Sequence, residues 1–156
     1  FAAVTEKDLK AMSYEADLEE ALKNSFSIWQ KRNTLRQAQN VYDDSYDSSV
    51  YAVQSAREAL AAEQESVESA FASTFQSVQD SRGTLQAAQT AEQQAELDFK
   101  TSRLQYERGM LSRLDYLQAQ DTLENAKLDV QTAELGLVSA FNQYEWAKRG
   151  LTTAIA

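Results

Sequence analysis

Apolar residues recur at helical spacing along nearly the whole chain, and most regularly in its last third. There they stand at Ala119, Leu123, Ala126, Val130, Ala133, Leu137, Ala140, Tyr144, Ala147 and Leu151. The intervals alternate between four and three residues, which is the 3.5-residue repeat of a left-handed coiled coil. Every other position is alanine, which lets a neighbouring helix approach closely. The pattern predicts a long helix packed along this seam.

Weaker stripes accompany the seam. One in the same segment adds Leu114, Leu117, Leu128, Leu135 and Val138, and a strip in the middle of the chain contains Phe71, Phe75, Val78 and Leu85. The first segment is helical but less regular, with Leu18, Leu22, Phe26, Trp29 and Leu35. Amphipathic stripes of this kind usually form core. Two stripes on one helix predict neighbours on two sides.

Breaks in the helical pattern are few. The polar run over 42–49 favours a turn because Asp and Ser compete for backbone hydrogen bonds. In the second break Gly109 suits the left-handed end of one helix, and Ser112 suits the cap of the next. We expect one all-α coiled-coil domain over 1–156, with helices at about 4–43, 49–108 and 112–151. The last two should form a long antiparallel hairpin with its tip at 108–113, and the first should run beside the middle helix.

The amino-acid composition supports this fold and excludes several kinds of functional site. The 156 residues include no proline and four glycines, against about eight and about eleven in an average chain of this length. Such scarcity of turn residues argues against sheet-rich folds. The absence of His and Cys removes most metal sites and all thiol or imidazole catalysis. We expect no enzyme activity, metal or cofactor.

Charge limits the partners. The net charge is −9, which disfavours nucleic-acid binding because phosphates require a cationic face. No apolar run approaches the ~20 residues that cross a bilayer, so we expect no direct membrane insertion. The opening residues lack a signal-peptide pattern, and a start at Phe1 suggests a processed chain or a fragment.

One motif carries a functional resemblance. Residues 106–120 read YERGMLSRLDYLQAQ and lead into the alanine-leucine helix. The sequence resembles the TolC-like outer-membrane efflux family over roughly residues 50–150, where a Tyr, a Gly three residues on, a Ser or Thr and an Asp-x-Leu-x-Ala-Gln run are typical. The matching positions are Tyr106, Gly109, Ser112, Asp115, Leu117, Ala119 and Gln120.

The resemblance implies a fold and a role. In that family helical hairpins from three chains assemble a tunnel across the periplasm, and the hairpin tips dock onto a periplasmic adaptor (membrane fusion) protein linked to an inner-membrane transporter. The resemblance thus implies a segment of the family's α-barrel without its β-barrel, in the cell envelope. It implies a homotrimer for the full-length protein, whereas this fragment alone is expected to be monomeric.

The resemblance also assigns site residues. The tip that would dock the adaptor comprises Arg108, Gly109, Met110, Leu111, Ser112 and Arg113. The candidate pore constriction comprises Tyr106, Asp115 and Gln118. Gln118 departs from the family pattern, in which close relatives carry a second carboxylate, and Leu111 stands where a basic residue is expected.

Simpler interpretations remain beside these assignments. Ser112 and Asp115 have the spacing of a capping box, so Asp115 acts either as a cap alone or as a cap and a pore residue. Arg108 and Arg113 are either solvated charges or adaptor contacts. The alternative functions are a structural coiled-coil scaffold, such as a spectrin-like three-helix rod with no transport role, and a compact helical binding module.

Overall fold

The computed structural model describes residues 4–151, of which 87% are helical and none lies in a strand. The five helices are α1 (Glu6–Ala11), α2 (Tyr14–Asn24), α3 (Phe26–Asn40), α4 (Asp47–Glu107) and α5 (Arg113–Lys148). The predicted all-α fold, with a long middle helix and a packed helix pair, is confirmed. The ends of α4 and α5 lie within three residues of the predicted bounds.

The chain divides into two compact units. The hairpin unit contains Ser77–Phe141, and the bundle unit contains Thr5–Gln76 with the residues from Asn142 onward. Both long helices contribute to both units. The single domain over 1–156 stays a prediction.

In the hairpin unit α4 and α5 pack antiparallel. Close to the turn, Tyr106 contacts Tyr116, and farther along Ala95 clusters with Leu123 and Ala126. The predicted seam of α5 is its buried side, with Leu123, Ala126, Ala133, Leu137 and Ala140 all buried. The second stripe is different, because Leu114, Leu117, Leu128 and Leu135 are exposed. One of the two predicted faces of α5 therefore has its partner within the described chain.

The bundle unit has a core of aromatic rings. Phe71 and Tyr144 are almost completely buried, and their ring centroids lie 5.4 Å apart. Tyr14 of α2 approaches Phe71 and Phe75 of α4 at 5.8 and 5.3 Å. Ala21 of α2 and Ile28 of α3 are fully buried in this unit as well. Helix α2 is thus anchored on α4, next to the end of α5.

The prediction of one helix over 4–43 is wrong, because the structure has three helices there. Ser13 and Ser25 adopt extended backbone angles between them. Ser25 ends α2 and caps α3, with its side chain accepting a hydrogen bond from the Ile28 N–H. This break shifts the helical phase, so Ile28 is buried while Phe26 and Trp29, which the sequence pattern placed on the apolar face, are exposed.

None of the helices within residues 4–151 combines the length and apolarity needed to span a membrane.

Candidate functional site

The turn between α4 and α5 is built around Gly109. Its φ is +72°, in the left-handed region that glycine enters without a steric penalty. The Gly109 N–H donates to the Tyr106 carbonyl at 2.9 Å, and the Met110 N–H donates to the Gln105 carbonyl at 2.8 Å. This pair of bonds is the Schellman motif. The predicted glycine turn is therefore present, and local backbone bonds hold its shape.

On the other side of the turn, Ser112 caps α5. Its Oγ accepts from the Asp115 N–H at 3.1 Å and donates to the Asp115 carboxylate at 2.7 Å. A negative side chain in the first turn also interacts favourably with the helix dipole. Ser112 is therefore the cap of α5, and the Asp115 carboxylate bonds the hydroxyl of that cap and not its backbone N–H, as a full capping box would require. The role of Asp115 in a pore stays a prediction from the resemblance.

Three aromatic rings brace the base of the turn. Tyr116 of α5 stacks on Tyr106 of α4, with ring centroids 4.8 Å apart and planes at 18°. Phe99 contacts the other end of this group, 5.6 Å from Tyr116. Sequence reasoning selected Tyr106 but missed Tyr116. The signal was available, since the two tyrosines flank the glycine turn closely enough to meet once the chain folds back.

The outermost residues of the turn combine apolar and basic side chains. Met110 is 73% exposed, and Leu111 beside it is partly buried. Arg108 and Arg113 flank them, both exposed. Behind them Arg103 pairs with Glu107 at 2.9 Å, and this hydrogen bond raises the pKa of the Arg103 guanidinium. The tip thus presents an apolar point between two arginines that take part in no ion pair within residues 4–151.

The three predicted constriction residues lie at the same end of the hairpin, but each has a different environment. Tyr106 is engaged by Tyr116, Asp115 is held by Ser112, and Gln118 is exposed on the first turns of α5. Their assignment to a pore remains a prediction from the resemblance.

A second polar arrangement, in the bundle unit, was missed by sequence reasoning. The buried carboxylate of Asp17 accepts hydrogen bonds from the Tyr144 hydroxyl and from the Ser13 N–H, the latter at 2.9 Å. Lys148 forms an ion pair with it at 2.6 Å and reaches Glu20 at 3.6 Å. These contacts tie the start of α2 to the end of α5. The only sequence signal was an acidic residue on the apolar face of α2.

Charge in this cluster is strongly coupled. Burial by itself raises the pKa of Asp17, but hydrogen bonds from Lys148, Tyr144 and the Ser13 backbone outweigh it, so the pKa lies below its usual value. Burial, followed by the bond to Asp17, raises the pKa of the Tyr144 hydroxyl. The bond to Asp17 also raises the pKa of Lys148. At neutral pH the cluster is therefore a carboxylate held by a neutral phenol and an ammonium, which suits a structural tie.

Neither metal ligands nor similar proteins identify a function for the site. Between residues 4 and 151 there is no cluster of three or more potential metal ligands. No protein-family model matches the sequence, and no curated protein matches it.

Proposed function

We propose that this chain is a tunnel-forming helical domain of an outer-membrane-type efflux or export channel, and that it docks an adaptor protein through the tip of its hairpin. The role is non-enzymatic. The proposal places the domain in the periplasm, within a protein that forms a homotrimer when full length. Its partners would be a periplasmic adaptor and, through that adaptor, an inner-membrane transporter.

One observation supports the docking role above all others. Met110 projects at the end of the hairpin between Arg108 and Arg113, on a turn whose geometry is defined by the Schellman motif and the Ser112 cap. Exposed apolar side chains contribute affinity when they are buried by a partner, and flanking charges fix its orientation. Because the turn is preorganised, binding costs little conformational entropy there.

The resemblance supplies the identity of the partner. Tyr106, Gly109 and Ser112, which match the family's tip motif, are the residues that shape this turn through the aromatic stack, the left-handed glycine and the helix cap. The motif therefore has a physical role here. Each tip offers a small apolar surface, so docking would be weak per subunit and effective only in a multimer, through effective concentration.

The decisive experiment changes the tip without changing the hairpin. In cells producing the full-length protein, Met110→Ser combined with Arg113→Glu should abolish adaptor-dependent export. The matched control is Leu97→Ser with Arg57→Glu, which makes the same kinds of change at exposed positions on α4, away from the turn. Circular dichroism and protein level should be equal for both.

Wild-type export by the tip variant would contradict the docking role and favour a plain coiled-coil scaffold. Inspection of the full-length gene gives an independent check. A signal peptide and a second Tyr-x-x-Gly hairpin are expected for an efflux channel, and neither is expected for a spectrin-like rod.

Asp115 needs its own test, because its bond to the Ser112 hydroxyl gives it a structural role in supporting the cap of α5. Asp115→Ala should chiefly alter cation passage through the assembled channel if the carboxylate lines the pore. If the residue is only a cap, the substitution should lower hairpin stability by ~1 kcal/mol and leave conductance unchanged.

A further inference from the structure

A second surface, on α3 in the bundle unit, combines exposed aromatic and basic residues. Phe26 and Trp29 are 64% and 56% exposed, and their rings stack at 5.5 Å with planes at 18°. More than half of each side chain is exposed, although the sequence pattern places both residues on an apolar face. Large exposed aromatic groups of this kind mark interaction surfaces.

The charge of α3 differs from that of the other helices. It contains Lys31, Arg32 and Arg36 and no acidic residue, while the whole chain has a net charge of −9. Each of the other four helices carries acidic side chains. Neither Arg32 nor Arg36 forms an ion pair within the described part of the chain.

These side chains share one side of the helix. Trp29, Arg32 and Arg36 stand at helical i, i+3 and i+7 positions, so they form a strip along α3. An adjoining side of α3 faces the core, with Ile28 fully buried and Leu35 partly buried. A shallow depression of about 430 Å³ lies beside Trp29 and is lined by polar side chains that include Lys31 and Gln37. The outward face is therefore an aromatic anchor followed by two free cations.

We propose that this face of α3, defined by Phe26, Trp29, Arg32 and Arg36, docks an acidic helical segment of a partner protein. Trp and Arg are the residue types that dominate protein interfaces energetically. A partner helix with carboxylates one turn apart would pair with both arginines while an apolar side chain covers the aromatic pair. The proposal is independent of docking at the hairpin tip.

Two other anionic partners fit less well. A membrane surface would bury the whole apolar side of an interfacial helix, but Ile28 of α3 already packs in the core, and a chain of net charge −9 is repelled by anionic lipid. Nucleic acid would require a larger basic surface than the three cations of this helix.

The test uses the full chain carrying Trp146→Phe, so that Trp29 is its sole tryptophan. The probe is a helical peptide of about 20 residues with glutamates at i, i+4 spacing and leucines on the adjoining side. Its matched control has lysine in place of each glutamate. We expect the acidic peptide to shift Trp29 emission to the blue in a saturable manner. Its binding should weaken as salt rises from about 50 to about 500 mM. The lysine peptide should give no shift.

Reversing the charge of Arg32 and Arg36 tests whether these two residues set the preference for an acidic peptide. Arg32→Glu with Arg36→Glu should lower the affinity for the acidic peptide by about tenfold or more and create binding of the lysine peptide. Lys7→Glu with Lys10→Glu, two exposed cations on α1, changes net charge equally and should preserve binding. Circular dichroism checks that each variant is folded. Equal binding of both peptides, no saturation at millimolar peptide, or a shift produced by anionic vesicles and not by the peptide would each overturn the proposal.

Discussion

The two left-handed glycines give a matched pair for testing how the bundle unit is held together. Gly109 and Gly150 have φ of +72° and +84°, and both complete a Schellman motif. They differ in their surroundings. A Cβ at Gly109 would have nothing within 4 Å, whereas a Cβ at Gly150 would lie 2.5 Å from the Asn24 carbonyl carbon and 2.7 Å from the Ser25 nitrogen.

Alanine should therefore cost different amounts at the two positions. A non-glycine residue in the left-handed region costs about 1–2 kcal/mol, which is the expected loss for Gly109→Ala. Gly150→Ala adds backbone overlap with the α2–α3 junction, typically about 1–3 kcal/mol for overpacking, so its total should be about 2–5 kcal/mol. The entropy lost by the unfolded chain when Gly becomes Ala is the same in both variants and cancels from the comparison.

The assay is thermal and urea unfolding, followed by circular dichroism and by tryptophan fluorescence. At about 2–4 °C per kcal/mol for a chain of this size, Gly150→Ala should lower the midpoint by roughly 4–20 °C. Trp29 and Trp146 both lie in the bundle unit, so fluorescence should report the loss from Gly150→Ala directly. Gly136→Ala, at an exposed helical position with open space around it, should instead stabilise by about 0.5–1 kcal/mol. Equal losses at Gly109 and Gly150 would show that the close approach to Asn24 does not contribute, and would refute the reasoning.

Four further predictions concern stability. The pKa of Asp17 lies below its ordinary 3.8, so the stability gained from ionised Asp17 is present above about pH 4 and is lost as pH falls toward the folded-state pKa. The free energy of unfolding should fall as the pH is lowered through this range, and Asp17→Asn should make that fall smaller. Tyr144→Phe removes the phenol that donates to Asp17 and should cost about 1–3 kcal/mol in urea unfolding; a neutral result would mean that Lys148 alone satisfies the carboxylate. Ala133→Leu should overpack the buried seam of α5 by ~1–3 kcal/mol, and an unchanged melting temperature would mean that the seam has room there. Ser112→Ala should cost ~1 kcal/mol by removing the cap of α5, an effect that differential hydrogen exchange at the Asp115 amide can localise.

The sequence predicted the hairpin turn because its chemistry is local. Gly109 and Ser112 each act on backbone groups no more than four residues away, so their types and spacing are enough. The α5 seam was predictable for a related reason, since a strict heptad repeat leaves one face for burial.

The N-terminal helices were harder to predict because the breaks there are made by serines, which also occur within helices. The apolar spacing runs on through Leu22, Phe26 and Trp29 and hides the change of phase at Ser25. The Asp17 cluster gave still less warning, since its bond to Tyr144 joins residues 127 apart in the sequence. Only the three-dimensional fold brings such groups together.

The locality of the turn has a consequence for evolution and engineering. Every hydrogen bond that shapes it joins residues between Leu104 and Tyr116, and the seam behind it repeats every seven residues. Deleting one heptad from each arm of the hairpin unit would keep both helices in phase and leave the turn intact, while deleting one from a single arm would shift the arms past each other. Seven helical residues rise about 10 Å. The reach of this hairpin can therefore be adjusted in steps of about 10 Å by paired insertions or deletions, with the turn itself left unchanged.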